Sequence, residues 1–388
     1  MSNLLREHGI VIGRLQPGPR NTISDVEGCR VGHATIVRGS GDLTVGEGPV
    51  RTGVTAVIPH PGDVWEEPRF AGVFALNGAG EWSGTSFVRE TGCLYGPILT
   101  TNSHSLGTVR DAVIKFEVAR RGAIERLPVV GETFDGLLND ISGMHVTDEH
   151  VLEALQTASS DFSEGSVGGG TGNVCHGFKG GIGSASRRVE IADQTYTVGI
   201  LVQANHGGRE EFQVAGVPVG RLIPTDEIPL GPTGFDRAES PHKNSVLVVV
   251  ATDAPLLPGH LERLAHRATL GIARNGAYAH NLSGDMALAF STAPQPPAGY
   301  DFGDPRTPVT IQTLTNAATA PLFEAAIEAT EEAIVSALVN AETTEGIDRW
   351  TAYRLDVERL ARCIEDYRGN RPPLAKHKGL HSEPRSQR

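Results

Sequence analysis

A chain of 388 residues with 39% hydrophobic and 21% charged side chains has the make-up of a globular protein and is long enough to bury a large core in one domain or two. Its formal charge of −12 at pH 7 argues against a phosphate-backbone ligand, which needs clustered Lys and Arg, so no nucleic-acid partner is expected. The cysteines, Cys29, Cys93, Cys175 and Cys363, form no CxxC pair, which excludes a zinc ribbon or a disulfide framework and leaves buried free thiols as the expectation.

The first stretch, MSNLLREHGIVIG, carries an early acidic residue and no apolar core of signal-peptide length, and no later run approaches the roughly 18 apolar residues of a membrane span. A cytoplasmic protein with no membrane partner is expected. Up to about residue 100, short apolar runs alternate with Gly, Pro and Asn turns (VTAVIPHPGD, GPILTTNSHS), the pattern of short strands. The spacing of Val109, Val113, Phe116 and Val118 predicts a helix over about 107–120, and a second helix follows over about 148–158. The glycine run Gly168, Gly169, Gly170, Thr171, Gly172 lets backbone pass close to other layers; it lacks the Gly-Lys-Ser/Thr of a nucleotide-binding loop. YTVGILVQAN then reads as a buried strand ending at Asn205.

Residues 217–244 hold five prolines and mixed charges, as in an exposed loop or linker. At Ser245 the character changes to SVLVVVAT, a β-branched run typical of a strand covered on both faces. A helix over about 258–274 opens with Pro258 and carries Leu261, Leu264, Ala268 and Ile272 on one stripe. MALAFST (about 286–292) reads as another buried strand, and PLFEAAIEATEEAIVSALVNA (about 321–341) as a long helix. From Arg371 to the end, five basic residues against one acidic, without periodicity, predict a disordered tail. No cofactor and no metal are assigned. His260 and His266 lie six apart on one predicted helix, which is not ligand spacing, and read as surface residues. His104, His176 and His206 sit near turns, where histidines hydrogen-bond structurally, and Cys175 and His176 as strand neighbours should point to opposite faces.

Ser245 joins a loop that could be severed to a strand that would hold it rigidly. If the chain were cut after Asn244, its hydroxyl would stand beside a free α-amine, whose unperturbed pKa of about 7.7–8.0 suits a base at neutral pH. On spacing alone, a serine that simply opens a strand after a turn is the favoured reading.

Longer segments carry a resemblance. GRLQPGPRNTISDVEGCRVGH, LNGAGEWSG, TTNSHSLGTVRDAV, GETFDGLLNDISGMHV, VGGGTGNVCHGFKGGIGSASR, VQANHG, GVPVG, SVLVVVATDAPLLPGHLERLAHRATLGIAR and SGDMALAFST, in this order, resemble the DmpA family of aminopeptidases, which includes L-aminopeptidase/D-esterases and β-aminopeptidases. The resemblance implies an α+β, four-layer αββα sandwich similar to the N-terminal-nucleophile (Ntn) hydrolases and shared in type with ornithine acetyltransferases. It implies self-cleavage into chains 1–244 and 245–370 (with 371–388 as tail) that remain associated, and commonly a tetramer of such heterodimers. The substrates implied are small peptides, amino-acid amides and esters, split through an acyl-Ser245 intermediate.

By the same resemblance Ser283 and Asp285 of SGDMALAF assist the nucleophile, Asn205 gives an amide N–H to the oxyanion, and Glu132 of GETFDG holds the substrate's ammonium. Read without it, a turn is the favoured reading for both Ser-Gly-Asp and Asn205. Phe134 departs from the pattern: many relatives carry tyrosine there, whose hydroxyl phenylalanine lacks. Two other functions are weighed, an acyltransferase of the ornithine acetyltransferase type, which uses threonine where this chain has Ser245, and an uncleaved, non-catalytic binding protein.

Overall fold

The computed structural model describes residues 4–229, 245–293, 296, 300 and 308–369. Asn244, and the expected tail from 371, lie outside the described residues. Two sheets face each other. The first runs β1 (Arg30–Arg38), β2 (Val50–Ile58), β6 (Ile98–Asn102), β7 (Val129–Thr133) and β4 (Trp82–Ser83) in that order. The second runs β10 (Gly181–Ile191), β11 (Gln194–Asn205), β12 (Ser245–Thr252), β13 (Gly284–Ser291), β3 (Arg69–Gly78) and β5 (Cys93–Leu94). A two-residue hairpin, β8 (Val174–Cys175) and β9 (Phe178–Lys179), caps the end of β11.

Helices α3 (Leu106–Arg121) and α4 (Asp148–Gln156) cover the outside of the first sheet; α6 (Pro258–Arg274) and α7 (Ala320–Val339) cover the second. The remaining helical segments, α1 (Leu4–Glu7), α2 (Thr85–Thr91), α5 (Val219–Leu222) and α8 (Val357–Gly369), lie around these layers, giving the αββα sandwich. Among the described residues no helix is long and apolar enough to cross a membrane.

All eight residues of β12 are buried, as the unbroken β-branched run foretold. It pairs parallel to β13, and α6 is the crossover that a parallel pair requires. Alternation then divides its side chains: Leu247, Val249 and Ala251 join Leu201, Met286, Leu288 and Phe290 in the core between the sheets, while Val246, Val248 and Val250 face the helices. The expected apolar stripe of α6 is buried at Leu261, Leu264, Ala268 and Ile272. The helix over 107–120 forms, with one correction. Val118 is exposed, and Glu117 is buried in its place because Arg121 pairs with it at 2.6 Å. The glycine run makes a tight turn wedged against β2 and β11, where a Cβ at Gly169 would strike Oε1 of Gln203.

Candidate active site

The inner face of β11 carries Gln203 and Asn205 toward the first sheet. Gln203 Nε2 donates to Thr133 Oγ1 (2.7 Å) and to the Thr101 carbonyl (3.0 Å), and its Oε1 accepts from Thr100 (2.7 Å). This buried polar staple fixes the ends of β6, β7 and β11 against one another. Asn205 lies beyond it. Its Oδ1 accepts from the Val174 N–H at 2.8 Å and its Nδ2 donates to the Phe134 carbonyl at 2.8 Å, so the amide orientation is held from both sides and one N–H of Nδ2 stays uncommitted by these bonds.

Asn205 is the register partner of Ser245, which is 4% exposed and pairs on its other side with Gly284. Ser245 and Asn205 therefore share the inter-sheet face. Glu132, at the end of β7, comes to the same place from the opposite sheet, since a Cβ at Gly80 would lie 3.0 Å from its Oε1 and 3.2 Å from Cα of Gly284. Its Oε1 accepts from the Glu81 N–H at 2.8 Å, and Ser103 donates to Oε2. Burial pushes the Glu132 carboxyl above the usual range, against the pull of those two bonds and of nearby His104.

Ser283 and Asp285 flank Gly284, and the Ser283 hydroxyl donates to Asp285 Oδ1 at 2.6 Å with both residues buried. Alternation along β13 sets this pair on the face opposite Ser245 Oγ, beside the main chain of residue 245. The segment before it is pinned by Asn77 Nδ2, which donates to the Ala279 and His280 carbonyls (3.1 and 2.5 Å), and by the Ala79 N–H to the Ser283 carbonyl (3.2 Å). An extra residue in β3, Leu76, sits opposite the Asp285–Met286 step, a bulge of the kind that re-aims a side chain beside a site. Burial pushes the Asp285 carboxyl up to about 6, while the Ser283 bond and His280 act the other way.

Of the seven site residues expected from sequence, Ser245, Asn205 and Glu132 meet at one end of the inter-sheet space, and Ser283 and Asp285 lie beside the main chain of residue 245 on the other face of the sheet. Asn244 lies outside the described residues. Phe134 is half-buried and contributes its carbonyl to Asn205.

With this geometry in place, a profile of peptidase family S58 matches residues 21–352. The beta-peptidyl aminopeptidase BapA of Sphingosinicella microcystinivorans is 45% identical over 361 residues, covering 91% of this chain and 90% of that protein. The chain belongs to peptidase family S58. Among solved structures, the beta-aminopeptidase of a Burkholderia species superposes with a TM-score of 0.83 at 45% identity, covering 95% of this chain and 99% of that one. The L-aminopeptidase D-Ala-esterase/amidase of Ochrobactrum anthropi, described as a variant of the Ntn hydrolase fold, gives 0.83 at 38% identity, with coverages of 93% and 98%. The S58 chain is therefore a serine-type aminopeptidase hydrolase on an Ntn-like sandwich, and nothing in the fold or the relatives favours an acyltransferase or a silent binding protein.

Sequence reasoning missed three features. Ser103, which holds Glu132, looks like any turn serine in TTNSHS. Lys179 and Asp135 are fully buried, with the Lys179 ammonium donating to the Gly170 and Gly180 carbonyls (3.1 and 2.8 Å). Burial pulls Lys179 down to about 7 and pushes Asp135 up to about 7. The third is a correction: Cys175 and His176 do not point apart. His176 and Gly177 form the two-residue turn of the β8–β9 hairpin with φ of 48° and 69°, so strand alternation ends at Cys175 and the two side chains gather with His206.

Proposed function

We propose that the Ser245 hydroxyl cuts the bond that precedes it and that the resulting N-terminal serine is the nucleophile of an aminopeptidase for substrates with a free amino terminus. In processing, Ser245 Oγ attacks the Asn244 carbonyl, the C–N bond breaks as the hydroxyl proton passes to the departing amine, and water hydrolyses the ester. In turnover, the freed amine takes the proton from Oγ as it attacks the substrate carbonyl and returns it to the leaving amine; water then releases acyl-Ser245. The uncommitted N–H of Asn205 faces the developing oxyanion, and Glu132 takes the substrate ammonium. Ser283, held by ionised Asp285, lies beside the main chain of 245 and fixes its amine.

The observation that carries this reading is the arrangement around Ser245: a buried first residue of a central strand, paired with Asn205 and Gly284 and facing Glu132. The Phe134 main-chain carbonyl holds the Asn205 amide, and with no hydroxyl on residue 134 the oxyanion leans on Asn205 and a backbone N–H.

Denaturing electrophoresis tests the cleavage. Two chains, meeting at 244/245 by mass spectrometry and merged into one in Ser245→Ala, are expected; a fully active single chain would overturn the reading. Because the relatives cited include a beta-peptidyl aminopeptidase and a beta-aminopeptidase, the preferred first residue is proposed to be a β-amino acid. A panel of α- and β-aminoacyl p-nitroanilides tests it, and faster hydrolysis of the α-series would refute it. A tetramer of cleaved heterodimers and a cytoplasmic location belong to the same proposal, checked by light scattering and fractionation.

A further inference from the structure

Next to Asn205 in sequence and at the β8–β9 hairpin, Cys175, His176 and His206 come together with exposures of 0, 0 and 1%. One donor atom from each lies within 4.8 Å of the others. The mechanism proposed for Ser245 uses none of them. Two features set the group apart from an ordinary polar core. The Nε2 atom of His176 is buried with no hydrogen-bond partner, which is costly for a ring nitrogen cut off from water. The Nδ1 of His176 meets the Gly208 carbonyl at 3.1 Å, which places the proton on Nδ1 and leaves a lone pair on Nε2. A carbonyl behind the ring is the usual way a metal-binding imidazole is oriented.

The spacing also fits. Cys175 Sγ and His206 Nδ1 are 3.7 Å apart. Zinc–sulfur and zinc–nitrogen bonds of about 2.3 and 2.0–2.1 Å at a tetrahedral angle put the two ligand atoms about 3.6 Å apart. His176 reaches the group because it occupies the left-handed turn of the β8–β9 hairpin, and Phe212 stacks on its ring at 4.6 Å between centroids and limits its rotation.

We propose that Cys175, His176 and His206 form a structural site for a borderline divalent metal ion, zinc by its thiolate-and-imidazole donor set. The ion would join the β8–β9 hairpin to the end of β11. Those are the two segments that hold the Asn205 amide, one through the Val174 N–H and the other through its own backbone, so the site braces the oxyanion donor without touching substrate. Since the cluster is closed to solvent, the ion would enter as the fold closes.

The test is a titration of the full chain with Co2+, added to the reduced native protein and, in a parallel sample, present during refolding. One equivalent bound per chain, with a thiolate-to-cobalt charge-transfer band, is expected. The band should be displaced by Zn2+, lost in Cys175→Ser and unchanged in Cys363→Ser, and metal loading should raise the melting temperature of the wild type but not of Cys175→Ser. Absence of the band from both wild-type samples, or its persistence in Cys175→Ser, would overturn the proposal. Should Cys175→Ser fail to fold, the wild-type titration alone decides. This outcome is independent of whether Ser245 is the nucleophile.

Discussion

Glu132→Gln separates recognition of the free amine from the chemistry at Ser245. The carboxylate is 6% exposed, with Oε1 on the Glu81 N–H and Oε2 on the Ser103 hydroxyl, so a substrate ammonium would complete an already organised acceptor. Glutamine keeps the size and one acceptor oxygen but replaces the other with an NH2 group that repels both the ammonium and one existing donor. A hydrogen bond to a charged group contributes about 1.5–3 kcal/mol, and with tenfold per 1.4 kcal/mol the loss in kcat/KM for amine-bearing substrates is about 10- to 150-fold. It should appear mainly in KM, since the ammonium is bound equally in ground and transition states. The matched ester lacking the amine gains nothing from the carboxylate and should change by less than about twofold. Steady-state kinetics on the two substrates is the assay. An equal loss on both would show that Glu132 supports the site's structure or the acyl transfer itself, and the assigned role would be wrong.

The pH profile reports on Asp285. The carboxyl must be ionised to accept the Ser283 proton, and burial raises it to about 6, so kcat/KM should lose one protonation-dependent step as pH falls through that value. In Asp285→Asn that step should vanish; its persistence would clear Asp285 of the role. Asn205→Ala should lower kcat by about 100- to 1,000-fold with a much smaller change in KM, the loss typical of an oxyanion donor. It should also lower the melting temperature, because the Val174 N–H and the Phe134 carbonyl lose their partner, and unchanged kcat would refute the oxyanion role. Gly183→Ala should destabilise by about 1–3 kcal/mol, since its Cβ would strike the Ala333 carbonyl and lift α7 from β10, whereas Gly259→Ala meets open space in the first turn of α6 and should be neutral or stabilising. Denaturant unfolding compares the two, and similar midpoints would refute the packing argument.

What could be read from the residues followed periodicity. β12 was legible because eight consecutive apolar or small residues beginning at Ser245 can only be covered on both faces, and α6 because its stripe recurs every three to four residues. Val118 was misplaced because hydropathy alone cannot foresee that Arg121 would make Glu117 the better residue to bury. Glu132, Asn205, Ser283 and Asp285 were singled out only through longer resemblance, because each is a polar residue at a strand end, where composition fits a turn. The Cys175–His176–His206 cluster was missed because the strand rule was applied one residue too far. His-Gly between two-residue strands is a hairpin signal, and reading it would have released His176 from alternation. Lys179 and Asp135 left no such trace, since nothing local marks a lysine for complete burial.

Sheet order, which no local pattern encodes, would keep Ser245 rigidly held even as the first residue of a new chain. In the second sheet β10 and β11 precede the 244/245 junction, β12 and β13 follow it, and β3 and β5 again precede it. The two strands after the junction are thus inserted between two groups from before it, hydrogen-bonded to β11 on one side and to β3 on the other. Opening the backbone at that point removes no pairing of the sheet. The register Asn205 to Ser245 to Gly284 is carried by the ladders, and α6 and α7 close the outer face over strands from both segments. The hydroxyl, the amide of Asn205 and the Ser283–Asp285 pair are therefore fixed by structure that a cut before Ser245 would not disturb. A nucleophile placed at the edge of a sheet, or on a strand paired on one side only, would gain the same free amine and lose its alignment.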